Sequence, residues 1–410
     1  MHPFSGHFDF VQTDRPSKAL VRLLCIGLCL MLAACGSRPE SGALALSTQA
    51  APGARTHNIM IVTTRERDER PDTYFNGERA GTIDYATASI SVPPSHEAGA
   101  IEWPSTFPGD PEKSFVARAA SYTPDRAAMR ADLDRRLMEL PKGQRSVFLF
   151  IHGYNTLFSE SLFRFTQFVH DADYKGVPLL FSWASRGQLQ DYVYDLNSAL
   201  VARSALEATL EDLANSKAER IVVLAHSMGN WLMMETARQL TPAQLRRLGP
   251  KIDQIVMAAP DIDIDVFKEQ LQALKRRTKV SKPFIILVSE DDRALNISSR
   301  IAGGKARVGA YENDEELAGL GAVVINLTKL EAKDRINHSK FAEMAKYSPE
   351  LGLLVEQKGL KQVNSDQARQ GDAPVETLAT LVANTAQIAI TLPVALVTAP
   401  ITILQGAKAQ

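Results

Sequence analysis

The chain predicts an α/β fold with a mostly parallel central sheet and helices on both faces, and three observations carry that prediction. Short β-branched apolar runs alternate with helix-like stretches through the middle of the sequence, the pattern of repeated βαβ units. The run Ile221-Val222-Val223-Leu224 passes through Ala225-His226-Ser227-Met228-Gly229 straight into the helix-like run Trp231–Arg238, a tight strand-to-helix turn with a serine at its apex. The 410 residues, 45% of them hydrophobic, are ample for a large core, and no internal repeat suggests a solenoid.

Residues 57–64 and 83–92 read as strands from their β-branched content, while Pro93, Pro94 and the stretch from Pro104 to Pro111 mark loops. A helix over 125–140 ends at Pro141 and Gly143. Strands follow at 147–151, 177–182 and 221–224, separated by helices at 157–172 and 192–216, with another helix after Gly229. Three more strands, at 254–259, 284–289 and 322–327, come with helices at 266–274 and 339–344. Residues 57–350 are therefore the predicted body, with an N-terminal strand extension. Residues 35–56, rich in Ser, Ala, Gly and Pro, read as a flexible tether.

Arg15, Lys18 and Arg22 precede an apolar stretch too short to span a membrane comfortably, so residues 1–34 read as an export signal. It ends in Leu32-Ala33-Ala34-Cys35, which resembles the lipobox of bacterial lipoproteins. That resemblance implies a lipidated Cys35 as the first mature residue. Gly36, in place of the aspartate that favours inner-membrane retention, points by the same resemblance to the periplasmic face of the outer membrane. All three cysteines lie at or before position 35, which leaves the body no thiol to pair. The 46 Lys+Arg balance 47 Asp+Glu with no block of like charge, which argues against a nucleic-acid partner. From Thr377 to Ala407 no charged residue occurs, and Leu378, Leu381, Val382, Ile388, Ala389 and Leu392 fall at helical spacing. Residues 351–410 thus read as a tail with an uncharged apolar helix that lies on a membrane, spans it weakly or packs on the body.

A nucleophile elbow needs small residues two before and two after the serine, so that the backbone turns sharply and lifts the hydroxyl toward a base. Ala225 and Gly229 meet this need, Ala225 standing where glycine is usual. In an α/β-hydrolase fold the base follows the nucleophile late in the chain, and of eight histidines only His338 lies after Ser227, in Arg335-Ile336-Asn337-His338-Ser339. The acid belongs after the strand at 284–289, where Glu290-Asp291-Asp292 offers three carboxylates; Asp292, in Asp292-Arg293-Ala294-Leu295, is the choice. Asp261, in Ala259-Pro260-Asp261-Ile262-Asp263, is the alternative acid, with helix capping as its structural use. The backbone amides of Met228 and of Tyr154, in Ile151-His152-Gly153-Tyr154-Asn155, are the expected oxyanion donors. His152 and His226 are expected to brace loops, and Trp183 and Tyr192 to line the pocket or the core. No His-Glu-x-x-His, Cys/His cluster or glycine-rich phosphate loop is present, so neither a metal nor a cofactor is expected.

His152-Gly153-Tyr154-Asn155, Phe181-Ser182-Trp183-Ala184-Ser185, Tyr192 with Asp195, Ala225-His226-Ser227-Met228-Gly229-Asn230 and Ala259-Pro260-Asp261-Ile262-Asp263 together resemble the bacterial α/β-hydrolase family catalogued as domain of unknown function nine hundred. Thr63-Thr64-Arg65 and Ser91-Val92-Pro93 with His96 resemble its N-terminal region, and Ala184 stands where the family usually has proline. The resemblance implies hydrolase chemistry without naming a substrate. The combined expectation is a serine hydrolase, a carboxylic-ester or lipid esterase of the bacterial cell envelope that forms an acyl-enzyme on Ser227. A non-catalytic envelope scaffold, and an acyltransferase or peptidase on the same fold, stay open as alternatives.

Overall fold

Each central strand is a short apolar run buried on both faces, which is what a parallel sheet covered by helices requires. The computed structural model describes residues 38–277, 284–332, 334, 336–347 and 389–391. Strands β4 (Ser146–Ile151), β5 (Val177–Ser182) and β8 (Ile285–Val288) are buried at every position, β6 (Arg220–His226) and β9 (Val323–Asn326) nearly so, and β7 (Ile252–Ala258) is half-buried at Ile252, Ile255 and Val256. The sheet also holds β1 (Arg55–Arg67), β2 (Phe75–Val92), β3 (Val116–Thr123) and β10 (Ala389–Thr391), in the order β10-β9-β8-β7-β6-β4-β5-β1-β2-β3. From β9 to β1 every neighbouring pair is parallel, whereas β10, β2 and β3 pair antiparallel at the two edges.

Helices α1 (Arg126–Glu139), α3 (Tyr192–Val201), α4 (Arg203–Asn215), α5 (Met228–Gln239) and α7 (Ile264–Arg277) bury Leu133, Leu206, Leu232 and Phe267 against Leu149, Val223 and Met257 on one face. On the other face α2 (Phe158–Asp171) and α10 (Lys340–Tyr347) pack Phe163, Phe165 and Phe341 against Phe148, Phe150 and Val222. Helices α6 (Pro242–Leu248), α8 (Arg293–Ile301) and α9 (Asp314–Gly319) complete the described set. The chain leaves β4 for β5 on one side and returns to β6 on the other. The carboxyl ends of β4 and β6 therefore border the crevice at which open α/β sheets bind ligands.

Three expectations need correction. The tether is not free over its whole length: Ala43, Leu44 and Ala45 are buried, and Ser47 N–H donates to the Ala117 carbonyl at 2.9 Å. Burying three apolar side chains offsets the cost of ordering that segment, which composition alone does not reveal. The helix over 192–216 is two, broken at Ala202, and with no glycine or proline there the pattern reads through the break. Ala389–Thr391 is a strand on β9, where spacing predicts helix: Ile390 sits opposite Ile325, and the short strand pairs the edge that β9 would otherwise leave open. The export signal, Cys35 and the remainder of the tail lie outside the described residues. Among the described residues no helix is long and apolar enough to cross a membrane.

Candidate active site

Ser227 follows β6 as the N-cap of α5, at φ 52° and ψ −123°, a conformation that L residues adopt only when their surroundings hold them. Here the holders are explicit. Ser227 N–H donates to the Ala258 carbonyl at 3.0 Å, and the Ser227 carbonyl accepts from Asn230 N–H at 3.0 Å and Asp261 N–H at 3.2 Å. The Asn230 side chain donates to the Ala258 carbonyl at 3.0 Å. Gly229 is needed for close approach: a Cβ there would lie 2.5 Å from the His152 carbonyl oxygen. Ala225 sits wholly buried within β6, where the structure does not ask for glycine.

The same sheet end brings Asp292 and His338 together. His338 Nδ1 lies 2.7 Å from Asp292 Oδ2, and Asp292 Oδ1 accepts from Leu295 N–H at 3.0 Å as the N-cap of α8. One carboxylate oxygen is thus fixed by a helix start and the other faces the imidazole. Asp334 accepts from the backbone N–H of His338 and Ser339, both at 3.0 Å. Lys340 and Asn337 clamp Asp291, at 2.6 Å and 2.8 Å, which ties the histidine loop to the turn after β8. The His338 ring packs on His226, the residue before Ser227, with centroids 4.7 Å apart. Burial pushes the His338 imidazole down, but the Asp292 charge and hydrogen bond, aided by Asp261 and Asp334, hold it above its ordinary value. Desolvation, and then the neighbouring His338, push the His226 imidazole well below its ordinary value.

The loop after β4 lies directly against the elbow. A Cβ on Gly153 would come within 2.9 Å of both Ser227 Cβ and His226 Nδ1. This places the expected amides of Met228, first residue of α5, and Tyr154 on two touching segments. Two residues that sequence reasoning left without a role hold that loop. Arg65, fully buried at the end of β1, donates to the carbonyls of Thr156 (2.8 Å), Ser185 (2.8 Å) and Asn76 (3.0 Å) and to Ser182 Oγ (2.8 Å). Burial pulls its pKa down to about 10. Asp195, buried on α3, accepts from Asn155 N–H at 3.0 Å and Ser185 Oγ at 2.5 Å, and Asn155 has φ 55°. An arginine inside a β-branched strand was the available signal for the first. His152 stacks on the wholly buried Trp183, and burial beside Arg65 lowers its pKa to about 3, so both residues are structural here.

Among the described residues Asp261 bonds neither to His338 nor to the first turn of α7. Its Oδ1 accepts from Ser298 Oγ at 2.6 Å and pairs with Arg307 Nε at 3.2 Å, and its Oδ2 accepts from Tyr192 OH at 3.1 Å. Asp263, not Asp261, accepts from the first turn of α7 through Asp265 N–H at 2.8 Å. Tyr192 joins this group to Tyr154, whose ring meets it edge-on at 5.2 Å, so it belongs to the crevice and Trp183 to the core. Among the described residues no group of three or more His, Cys, Asp or Glu is placed to hold a metal ion.

A cutinase of Trichoderma reesei in complex with a phosphonate inhibitor is 14% identical, over 56% of this chain and 88% of its own, with a TM-score of 0.26. A structure from a study of two esterases of the fungus Rhizomucor miehei is 13% identical over 81% of this chain and 92% of its own, with a TM-score of 0.27. Comparison with curated proteins gives no match. The family model described as alpha/beta hydrolase of unknown function (DUF900) matches residues 125–355, more than half of the chain and every site residue above except Arg65 and Asn76. The chain belongs to that family of α/β hydrolases.

Proposed function

We propose that the protein is a serine hydrolase that cleaves carboxylic esters, lipid esters among them, through an acyl-enzyme on Ser227. The observation that carries this reading is the strained serine at the elbow, with the Asp292–His338 hydrogen bond on the same sheet end. His338 Nε2 removes the Ser227 proton as Oγ attacks the ester carbonyl carbon, and Asp292 fixes the tautomer and balances the imidazolium. The Met228 and Tyr154 amides donate to the oxyanion; one such donor typically contributes about 2.7–4 kcal/mol to the transition state. Collapse of the tetrahedral intermediate expels the alcohol, which takes the proton from His338. Water then repeats the cycle and releases the acid. Arg65 and Asp195 keep the donor loop in place before substrate arrives.

On this reading the enzyme works in the bacterial cell envelope, held by a lipidated Cys35 at the periplasmic face of the outer membrane. Fluorophosphonate labelling tests the chemistry. Wild-type protein is expected to be labelled on the peptide that carries Ser227 and Ser227→Ala to stay unlabelled. A folded wild type that resists labelling would overturn the proposal.

A further inference from the structure

The rim of the crevice is more apolar than folding requires. Leu189, Val193, Ile297, Ile301 and Ile336 are 71%, 62%, 54%, 59% and 43% exposed. Single exposed hydrophobic residues are ordinary; five on the segments that frame one crevice are not. Hydrogen bonds tie each segment to the site. Tyr154 OH donates to the Leu189 carbonyl at 2.6 Å. Tyr192, beside Val193, meets Ser298, beside Ile297, at 2.9 Å. Arg293 N–H donates at 2.9 Å to the carbonyl of Ile336, two residues before His338.

Helix α8 is the centre of this collar. Asp292 caps it, and Leu295 and Ser298 point inward and are buried. Arg293, Ile297, Arg300 and Ile301 are all exposed and, at spacings of four, seven and eight, share one outward stripe. The helix has no acidic residue, and neither arginine makes an ion pair with another described residue. Isoleucines flanked by arginines that have no carboxylate partner among the described residues suit a surface that is apolar within and anionic at its face. A second copy suits it poorly, because a two-fold contact would set four arginines together with no acid on either helix.

We propose that this collar docks on an anionic phospholipid bilayer and that the crevice takes its acyl ester from that surface. The proposal rests on the serine-hydrolase reading for its chemistry but not for its docking. Ile297 and Ile301 enter the boundary between headgroups and acyl chains while Arg293 and Arg300 meet phosphates. This sets the mouth framed by Tyr154, Tyr192 and the histidine loop against the lipid.

The test uses the full chain on two esters: soluble p-nitrophenyl butyrate, and a long-chain fluorogenic ester carried in phosphatidylcholine vesicles with or without phosphatidylglycerol. The double variant Ile297→Ser, Ile301→Ser is expected to lose about tenfold or more on the vesicle ester and to keep the butyrate rate within about twofold. The double variant Arg293→Gln, Arg300→Gln is expected to lose the acceleration that phosphatidylglycerol confers. A second arm needs no turnover and reads quenching by lipids brominated on their acyl chains. The added indole of Ile297→Trp is expected to be quenched, and that of Met138→Trp, on α1, is not. Equal losses on both esters, or an unquenched indole in vesicle-bound Ile297→Trp protein, would overturn the docking. So would self-association that the isoleucine variant abolishes. Quenching without hydrolysis of either ester and without fluorophosphonate labelling would leave the docking standing and defeat the hydrolase reading.

Discussion

Asp261 and Asp292 follow neighbouring strands, β7 and β8, and both are buried beside the same elbow, yet their surroundings differ in kind. Asp261 has a cation of its own in Arg307, at 3.2 Å, and two hydroxyl donors. Asp292 has the Leu295 amide at a helix start and the imidazole of His338, with no guanidinium or ammonium of a described residue bonded to it. A buried carboxylate already neutralised gains little from a second positive charge, whereas one held only by neutral donors gains much when an imidazolium forms next to it. The same residue type after adjacent strands thus serves structure in one place and suits catalysis in the other. The local counter-charge makes the difference.

The sharpest way to break this comparison is to remove each charge without changing shape. Asp292→Asn is expected to lower turnover about 10⁴-fold, because the amide favours the wrong imidazole tautomer. Asp261→Asn is expected to lower it by about tenfold or less and to lose about 3 kcal/mol of stability, because Arg307 is left buried without its anion. Steady-state rates and denaturant midpoints on both variants check the crossover; parallel losses in the two variants would erase the distinction.

Next in size is Arg65→Met. It strands the carbonyls of Thr156, Ser185 and Asn76 together, and a loss of about 3 kcal/mol or more is expected in chemical denaturation. Gly229→Ala follows, with about 1–3 kcal/mol for the displacement that a Cβ 2.5 Å from the His152 carbonyl forces, and with a fall in kcat as the donor loop is pushed from the elbow.

The smallest effect is in pH. His338 must be neutral to accept the serine proton, so with its pKa held above the ordinary 6.5 the rate falls as pH drops through that raised value. Its contribution to stability runs the other way: present in full below the unfolded-state pKa, and lost as pH rises through the folded one. The acid limb of kcat/KM is expected to shift to lower pH in Asp292→Asn, measured on the residual activity, and to move little in Asp261→Asn.

The elbow was legible because the chemistry demands small residues around a serine between a strand and a helix. His338 was legible because no other histidine follows Ser227. Asp292 could be read from its place after β8, but the counter-charge of Asp261 could not, since Arg307 lies 46 residues beyond Asp261 and meets it only through the fold. Arg65 is 87 residues from His152, and its role depends on β1 pairing with β5, a contact that no local pattern encodes. The burial of Ala43, Leu44 and Ala45 was hidden by a Gly- and Ser-rich composition that resembles a free linker. Short-range pattern therefore located the candidate site, and the long-range contacts that hold its loops in place had to come from the structure.

The most direct measurement of the central claim is the rate at which a fluorophosphonate modifies Ser227 in wild type, Asp292→Asn and Asp261→Asn, each confirmed folded. A fall of about 10⁴ in Asp292→Asn with Asp261→Asn within about tenfold of wild type is the predicted result. An Asp292→Asn protein that reacts at the wild-type rate, or an Asp261→Asn protein that fails as completely, would contradict it.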